Sequence, residues 1–121
     1  MKSITSKTDT LRKATASSVV VAAAQTIERL KSNDVPKKDV LIIARAAGVM
    51  AAKKTQEIIP YCHPIPIDSV DIDFEVLTDR VVVTASVEAI WKTGVEMEAL
   101  TASSVAALTI YDMLKPVDKN M

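Results

Sequence analysis

Hydrophobic and polar residues alternate most clearly between positions 70 and 87, with a period of two. The first half of this stretch places four apolar residues on one side, at Val70, Ile72, Phe74 and Val76. Its other side carries three acidic residues, Asp71, Asp73 and Glu75. After a turn at positions 77–80, Leu-Thr-Asp-Arg, the alternation resumes at Val81, Val83, Ala85 and Val87. The pattern predicts an antiparallel hairpin with one apolar face.

The stretch before this hairpin predicts one more strand and a first helix. β-Branched residues are frequent in residues 14–21, which favours a short strand there. Ile27 and Leu30 share a helical face within residues 22–32, so we expect a helix over that range.

A second helix is predicted after the turn at Pro36. Asp39 can cap or open this helix. Its apolar positions at helical spacing are Val40, Ile43, Ala47 and Met50. Gly48 lies inside the pattern and costs about 1 kcal/mol relative to alanine. We therefore expect either a close helix contact or two short helices meeting at Gly48.

The last predicted helix spans residues 95–114 and has an unusual surface. Residues 99–111 contain no charged side chain, and small residues occupy every side. A helix without a charged face is normally covered all round. We expect the sheet on one side and a neighbouring subunit on the other. Together these elements predict one α+β domain over residues 1–121, a ferredoxin-like antiparallel sheet with helices packed on one face and a flexible segment at about 1–10.

Composition narrows the classes of function. The 121 residues carry 15 basic and 15 acidic side chains, a balance that argues against nucleic-acid binding. No apolar run is long enough for a membrane helix. Lys2, Lys7, Arg12 and Lys13 precede an apolar stretch, but that stretch is too diluted by Ser and Thr for a typical secretory signal. With a single cysteine, Cys62, we expect a cytoplasmic protein.

The segment at residues 59–66 is the first candidate for a binding wall. Three prolines hold its backbone extended around His63, the single histidine. Alternation in an extended chain places Tyr61 and His63 on one side and Cys62 on the other. One cysteine and one histidine cannot supply a structural zinc site, and neighbouring residues that point apart make a poor nucleophilic pair.

The last helix carries the second set of candidates. Glu96 and Glu98 suit the helix N-terminus, whereas Asp112 carries a charge that is unfavourable in the last turn. Because Lys115 follows Asp112 by three residues, the two can form an ion pair. Glu98 and Asp112 share a face but lie about 21 Å apart along the axis, so they cannot meet within one subunit. The basic side chains that could bind an anion are Arg12, Lys37, Lys53, Lys54, Lys92 and Lys115.

Five stretches, in order, resemble the MoaC family, the cyclic pyranopterin monophosphate synthases of molybdenum cofactor biosynthesis. They are VPKKDV at 35–40, ARAAGVMAAKKT at 44–55, IPYCHPIP at 59–66, KTGVEMEALT at 92–101 and LTIYDMLK at 108–115. The resemblance runs from about position 12 to position 121. Family members continue into another strand and a Gly- and Lys-rich tail, so we expect that tail to be missing here. The family also has Ala at the position of Pro116, which would end the helix sharply.

The resemblance implies a lyase that converts (8S)-3',8-cyclo-7,8-dihydroguanosine 5'-triphosphate into cyclic pyranopterin monophosphate and pyrophosphate. It implies a homohexamer built as a trimer of dimers, with the active site at a dimer interface. Its catalytic residues would be Asp112, Lys115 and Lys37. Its substrate-binding residues would be Tyr61, Cys62, His63, Met97, Glu98, Arg12 and the adjacent Glu96. No resident metal or cofactor is expected, although Mg²⁺ could accompany the triphosphate. The alternative is a non-catalytic ferredoxin-like oligomeric binding module, because a fold alone does not establish a function.

Overall fold

The computed structural model describes residues 1–121 and contains a three-stranded antiparallel sheet in the order β1-β3-β2. The strands are β1 (Thr10–Val21), β2 (Ser69–Val76) and β3 (Arg80–Trp91). In the central strand β3, alternate residues are buried at Val81, Val83, Ala85, Val87 and Ala89. The predicted hairpin of β2 and β3 is therefore confirmed, including its apolar face.

Four helices complete the domain: α1 (Ala24–Lys31), α2 (Val40–Lys53), α3 (Thr55–Ile58) and α4 (Glu96–Leu114). Helices α2 and α4 pack against each other, and α4 also packs on β1 and β3. The main core lies between these helices and one face of the sheet. The predicted α+β class, with helices on an antiparallel sheet, is confirmed and is consistent with a ferredoxin-like plan.

Close packing between α2 and α4 explains the glycine inside α2. A Cβ atom on Gly48 would overlap the Cδ1 atom of Ile72 and would lie 3.0 Å from the carbonyl oxygen of Ala102. The helix runs through this position without a break. Of the two expectations for Gly48, the close helix contact is therefore the correct one.

The apolar positions at helical spacing on α2 are only partly buried. Val40 is buried, but Ile43 and Met50 are 45% and 49% exposed. The buried stripe instead runs through Ala44 and Gly48 to Ala51. Small residues face the core because they let the α2 backbone approach α4 closely. Ile42, Ile43 and Met50 are turned outward instead.

One element start differs from the sequence predictions, and a second element, α2, starts after Asp39 as predicted but without a side-chain cap. Strand β1 begins at Thr10, four residues earlier than predicted, because Thr10 pairs with Trp91 at the far end of β3. Asp39 lies at the N-cap of α2 in a left-handed conformation, and its side chain makes no capping hydrogen bond to that helix.

Several apolar side chains lie outside the core on the surface of the subunit. On α4 these include Leu100, Leu108 and Tyr111, and Leu108 is 65% exposed. The open face of the sheet exposes Leu11, Val19 and Ile90 in the same way. None of the helices combines the length and apolar character needed to cross a membrane.

Candidate active site

An aspartate held between two lysines lies at the C-terminal end of α4. The Nζ atom of Lys115 is 2.8 Å from Oδ1 of Asp112, and the Nζ atom of Lys37 is 3.1 Å from Oδ2. Lys37 also donates to the backbone carbonyl of Asp112 at 3.3 Å. We refer to Lys37, Asp112 and Lys115 as the lysine–aspartate cluster.

The two lysines determine the charge of the cluster. Hydrogen bonds from Lys115 and then Lys37, with their positive charges, lower the pKa of Asp112. The same contact raises the pKa of Lys115. Asp112 is thus ionised at neutral pH despite its place in the last turn of α4. All three side chains are about half exposed, so the cluster is accessible to a ligand.

A separate pocket forms at the opposite end of α4, where the 59–66 segment meets the turn before the helix. We call it the histidine pocket, and its volume is about 170 Å³. Its lining residues are Tyr61, Cys62, His63, Ile65, Thr93, Gly94, Glu96, Met97 and Glu98. Six of these nine are predicted substrate-binding residues. The fold therefore brings together two stretches that are thirty residues apart in the chain.

Glu98 is the most unusual side chain in the histidine pocket. It is only 3% exposed, and its Oε2 atom has no hydrogen-bond partner. Burial raises the pKa of Glu98, an effect opposed by a hydrogen bond from its own backbone and increased by the charge of Glu96. Burial also raises the pKa of the Cys62 thiol, with smaller effects from Glu98 and Glu96. The pocket therefore favours the protonated, uncharged forms of Glu98 and Cys62.

The predicted orientation of Cys62 is wrong. Tyr61, Cys62 and His63 all line the same pocket, whereas strict alternation would turn Cys62 away. The reason is a turn before the extended segment, in which the Cys62 amide donates to the carbonyl of Ile59 at 3.1 Å. His63 Nε2 lies 2.8 Å from the carbonyl oxygen of Lys2, so the N-terminal segment also touches this pocket.

Arg12 lies beside the histidine pocket rather than among its lining residues. Its guanidinium donates to the carbonyls of Trp91 and Lys92, both at 3.4 Å. These contacts connect β1 to the turn that leads into α4. Lys92 places its ammonium 5.9 Å from the centre of the Trp91 ring. Lys53 lines a different groove, beside β2.

Sequence reasoning missed two parts of this arrangement. The contact between Lys37 and Asp112 joins residues 75 apart, and no local spacing indicates it. Thr93 and Gly94 were not predicted to line a pocket, although they belong to the KTGVEMEALT stretch. Glu98 and Asp112 line separate pockets, as their spacing along α4 predicts.

The structure is therefore that of an α+β subunit with the lysine–aspartate cluster at one end of α4. The histidine pocket, with its buried Glu98 carboxyl, lies at the other end. A family model described as the MoaC family matches residues 1–121. The chain belongs to this family.

Known relatives agree with this assignment. The chain is 52% identical to the cyclic pyranopterin monophosphate synthase of Corynebacterium efficiens, covering 98% of this chain and 77% of the relative. It is 50% identical to that of Roseiflexus sp., covering 100% of this chain and 78% of the relative. A protein of Sulfurisphaera tokodaii named probable cyclic pyranopterin monophosphate synthase is 48% identical, and the match covers 97% of this chain and 78% of the relative.

These comparisons decide between the two classes of function. They confirm the predicted family and the prediction of an enzyme, a lyase of molybdenum cofactor biosynthesis. The non-catalytic binding module is not favoured.

Proposed function

We propose that this chain converts (8S)-3',8-cyclo-7,8-dihydroguanosine 5'-triphosphate into cyclic pyranopterin monophosphate and pyrophosphate. The observation that carries the proposal is the lysine–aspartate cluster, in which one accessible carboxylate lies within 3.1 Å of two ammonium groups. This arrangement offers a base and two cations to a single ligand.

The two lysines suit the phosphate chemistry of this reaction. A cyclic phosphate forms when a hydroxyl oxygen of the substrate attacks the phosphorus next to the sugar and the bond to pyrophosphate breaks. Lys37 and Lys115 each carry three N–H donors, of which Asp112 occupies only part. The remaining donors can stabilise the charge that develops on the leaving pyrophosphate.

Asp112 suits proton transfer in the same reaction. Its carboxylate is ionised and accessible, so it can accept a proton from a substrate group placed within hydrogen-bond reach. Lys115, held charged by Asp112, can return a proton. We assign the catalytic roles to Asp112, Lys115 and Lys37.

The histidine pocket suits the purine-derived ring of the substrate. Tyr61, Cys62, His63 and Met97 provide a wall of mixed polarity, and the unpartnered oxygen of Glu98 can hydrogen-bond to ring nitrogens. Glu96 lines the same pocket, and Arg12 holds the turn that forms one wall. We assign substrate binding to these seven residues.

One subunit does not bring the two groups of predicted site residues together. The histidine pocket holds about 170 Å³, below the roughly 300 Å³ at which pockets for small molecules usually begin. The lysine–aspartate cluster is about 21 Å further along α4. We therefore infer that the cluster of one copy completes the histidine pocket of another, within a homohexamer built as a trimer of dimers. The exposed Leu100, Leu108 and Tyr111 of α4 support such a contact.

The direct test is incubation of the purified chain with the cyclised dihydroguanosine triphosphate, with pyrophosphate release as the readout. Release that depends on the substrate is expected. No release under conditions in which a related synthase turns over would contradict the proposed reaction.

Mixing two inactive variants tests the shared site. Asp112→Asn removes the base, and Glu98→Gln alters the histidine pocket. If each site takes one part from each of two copies, co-expression of the two variants restores about a quarter of wild-type turnover, because half the dimers are mixed and each mixed dimer has one intact site. Sites formed within one copy would give no recovery.

We also propose that any Mg²⁺ required enters with the substrate, bound to its phosphates. No three His, Cys, Asp or Glu side chains are grouped so as to hold a metal ion. A cytoplasmic location is part of the same proposal, because the chain has only one cysteine, Cys62.

A further inference from the structure

The loop between α1 and α2 is closed by a pair of reciprocal hydrogen bonds. Asn33 Nδ2 donates to Asp39 Oδ1 at 3.3 Å, and the Asp39 amide donates to Asn33 Oδ1 at 3.0 Å. Asn33 and Asp39 are the two non-glycine residues with positive φ, at 57° and 61°. Asn and Asp adopt this conformation more readily than other non-glycine residues. We call the pair the Asn33–Asp39 clamp.

The clamp encloses the two consecutive lysines of the loop and separates their roles. Lys38 turns back and donates to the carbonyl of Asn33 at 2.9 Å. Lys37 points the other way and donates to Asp112. The ammonium of Lys38 is thereby held on the loop itself, and only the ammonium of Lys37 reaches the lysine–aspartate cluster.

The remaining loop contacts fix the clamp to the body of the domain. Arg29 Nε donates to the carbonyl of Asp34 at 2.8 Å, and the Asp34 amide donates to the carbonyl of Arg29 at 2.9 Å. Val35 is buried in the main core. The loop thus carries Lys37 on a backbone that is held at both ends.

We propose that Asn33 is a positioning residue for the reaction, and that its clamp with Asp39 holds Lys37 against Asp112. The proposal rests on the proposed function for its effect on turnover. Lys37 is half exposed and has many rotamers to lose. A fixed loop lowers that cost, because the Lys37 backbone is already in place when its ammonium meets Asp112.

Three variants separate the clamp from the backbone conformation. Asn33→Gly keeps the positive φ at low cost but removes both side-chain hydrogen bonds. Asn33→Asp places two carboxylates together and should open the clamp. The double variant Asn33→Asp with Asp39→Asn exchanges the two groups, keeps the net charge and restores a donor facing an acceptor.

Each variant is characterised by two measurements, kcat/KM and the pKa of Asp112. We expect kcat/KM to fall about tenfold in Asn33→Gly, more in Asn33→Asp, and to return to within about threefold of wild type in the double variant. The pKa of Asp112, followed by ¹³C NMR of its carboxyl without substrate, should rise in both single variants because Lys37 leaves. It should return in the double variant. Gln25→Ala, which removes an exposed amide from α1, is the control.

The outcomes that overturn the proposal are specific. Wild-type kcat/KM with an unchanged Asp112 pKa in Asn33→Gly would show that the clamp does not position Lys37. If the glycine variant melts early, the comparison of Asn33→Asp with the double variant decides instead, and failure of the double variant to recover contradicts the proposal. Absence of turnover in the wild type would refute the proposed function, whereas the substrate-free titration would still test the clamp.

Discussion

Lys37 and Asp112 are 75 residues apart in the chain, yet the ammonium of one lies 3.1 Å from the carboxylate of the other. The i,i+3 pair of Asp112 and Lys115 is local to α4, but Lys37 arrives from the loop before α2. The lysine–aspartate cluster is therefore a product of the tertiary fold, and its function is sensitive to changes in either region.

Asp112→Asn should abolish most turnover and leave the fold intact. The substitution keeps the shape of the side chain but removes the base and the charge that orients both lysines. We expect a loss of kcat of at least about a hundredfold. Pyrophosphate release measures it, and light scattering with circular dichroism checks the assembly. Asp73→Asn, at an exposed position on β2, is the matched control. Undiminished turnover in Asp112→Asn would remove Asp112 from the mechanism.

The two lysines should differ in their effect on the Asp112 carboxyl. The Lys115 contact is shorter, at 2.8 Å, and contributes most to the lowered pKa of Asp112. Lys115→Met should therefore raise that pKa more than Lys37→Met, as measured by NMR titration of the carboxyl carbon. Both effects should shrink with added salt, because the groups are half exposed. The reverse order would show that Lys37, and not Lys115, contributes most to the lowered pKa of Asp112.

Glu98→Gln should stabilise the subunit at neutral pH while impairing binding. Glu98 is buried with an unpartnered oxygen, and burial raises its pKa in the folded state. An acid with a raised folded pKa stabilises the fold most at low pH, and this contribution is lost as pH rises through the folded pKa. We expect Glu98→Gln to melt roughly 2 to 5 °C above wild type at pH 8.

The advantage of Glu98→Gln should vanish as the pH falls toward about 3, more than a unit below the unfolded glutamate pKa of about 4.3, where the wild-type carboxyl is protonated in both states. Glu75→Gln, exposed on β2, provides the control and should not reproduce the effect. Equal melting temperatures for wild type and Glu98→Gln across this range would show that Glu98 gains a partner in solution.

Local sequence patterns predict the strands and helices. The buried face of α2 and the position of Lys37 depend on tertiary packing instead. The alternation around Ile72 and Val83 predicts the hairpin because the side-chain period of a strand is two. Spacing within α4 likewise predicts that Lys115 meets Asp112. By contrast, the inward face of α2 depends on how closely α4 approaches, and a pattern of apolar residues favours the larger Ile43 over Ala44. The position of Lys37 depends on where its loop lies, which no local spacing encodes.

Gly48→Ala should destabilise the domain, although alanine is the better helix former by about 1 kcal/mol. The added Cβ would overlap Ile72 and would lie 3.0 Å from a backbone carbonyl and 3.2 Å from the Cβ of Ala106. We expect a loss of about 1 to 3 kcal/mol in the free energy of unfolding by urea. Adding Ile72→Val removes the overlapping methyl and should recover part of the loss.

A helix-propensity control sharpens the Gly48 prediction. Ala46→Gly makes the reverse substitution at an exposed position of the same helix. It should lower the free energy of unfolding by about 0.5 to 1 kcal/mol. If Gly48→Ala were instead as stable as wild type, close packing between α2 and α4 would not be the reason for glycine at this position.

Asp118→Ala should destabilise the domain because Asp118 caps helix α1, which lies far away in the chain. Asp118 Oδ2 accepts hydrogen bonds from the Ala23 amide and the Thr26 hydroxyl, both at 2.9 Å, at the start of α1. Ala23, the N-cap residue, has no side-chain oxygen to cap the helix. Asp118 therefore supplies the cap from 95 residues away. Loss of such a cap costs about 1 to 2 kcal/mol, measured by urea unfolding at pH 7.

The pH dependence distinguishes this cap from simple packing. Hydrogen bonds from the Ala23 and Asn120 amides lower the pKa of Asp118 in the folded state. A lowered carboxyl pKa contributes stability above the unfolded value, about 3.9, and that stability is lost as pH falls through the folded value. The difference between wild type and Asp118→Ala should therefore be constant from pH 5 to 7 and shrink below about pH 4. If the stability difference between wild type and Asp118→Ala stayed the same well below pH 4, the effect would be due to packing. An uncharged packing contact does not depend on the protonation of Asp118.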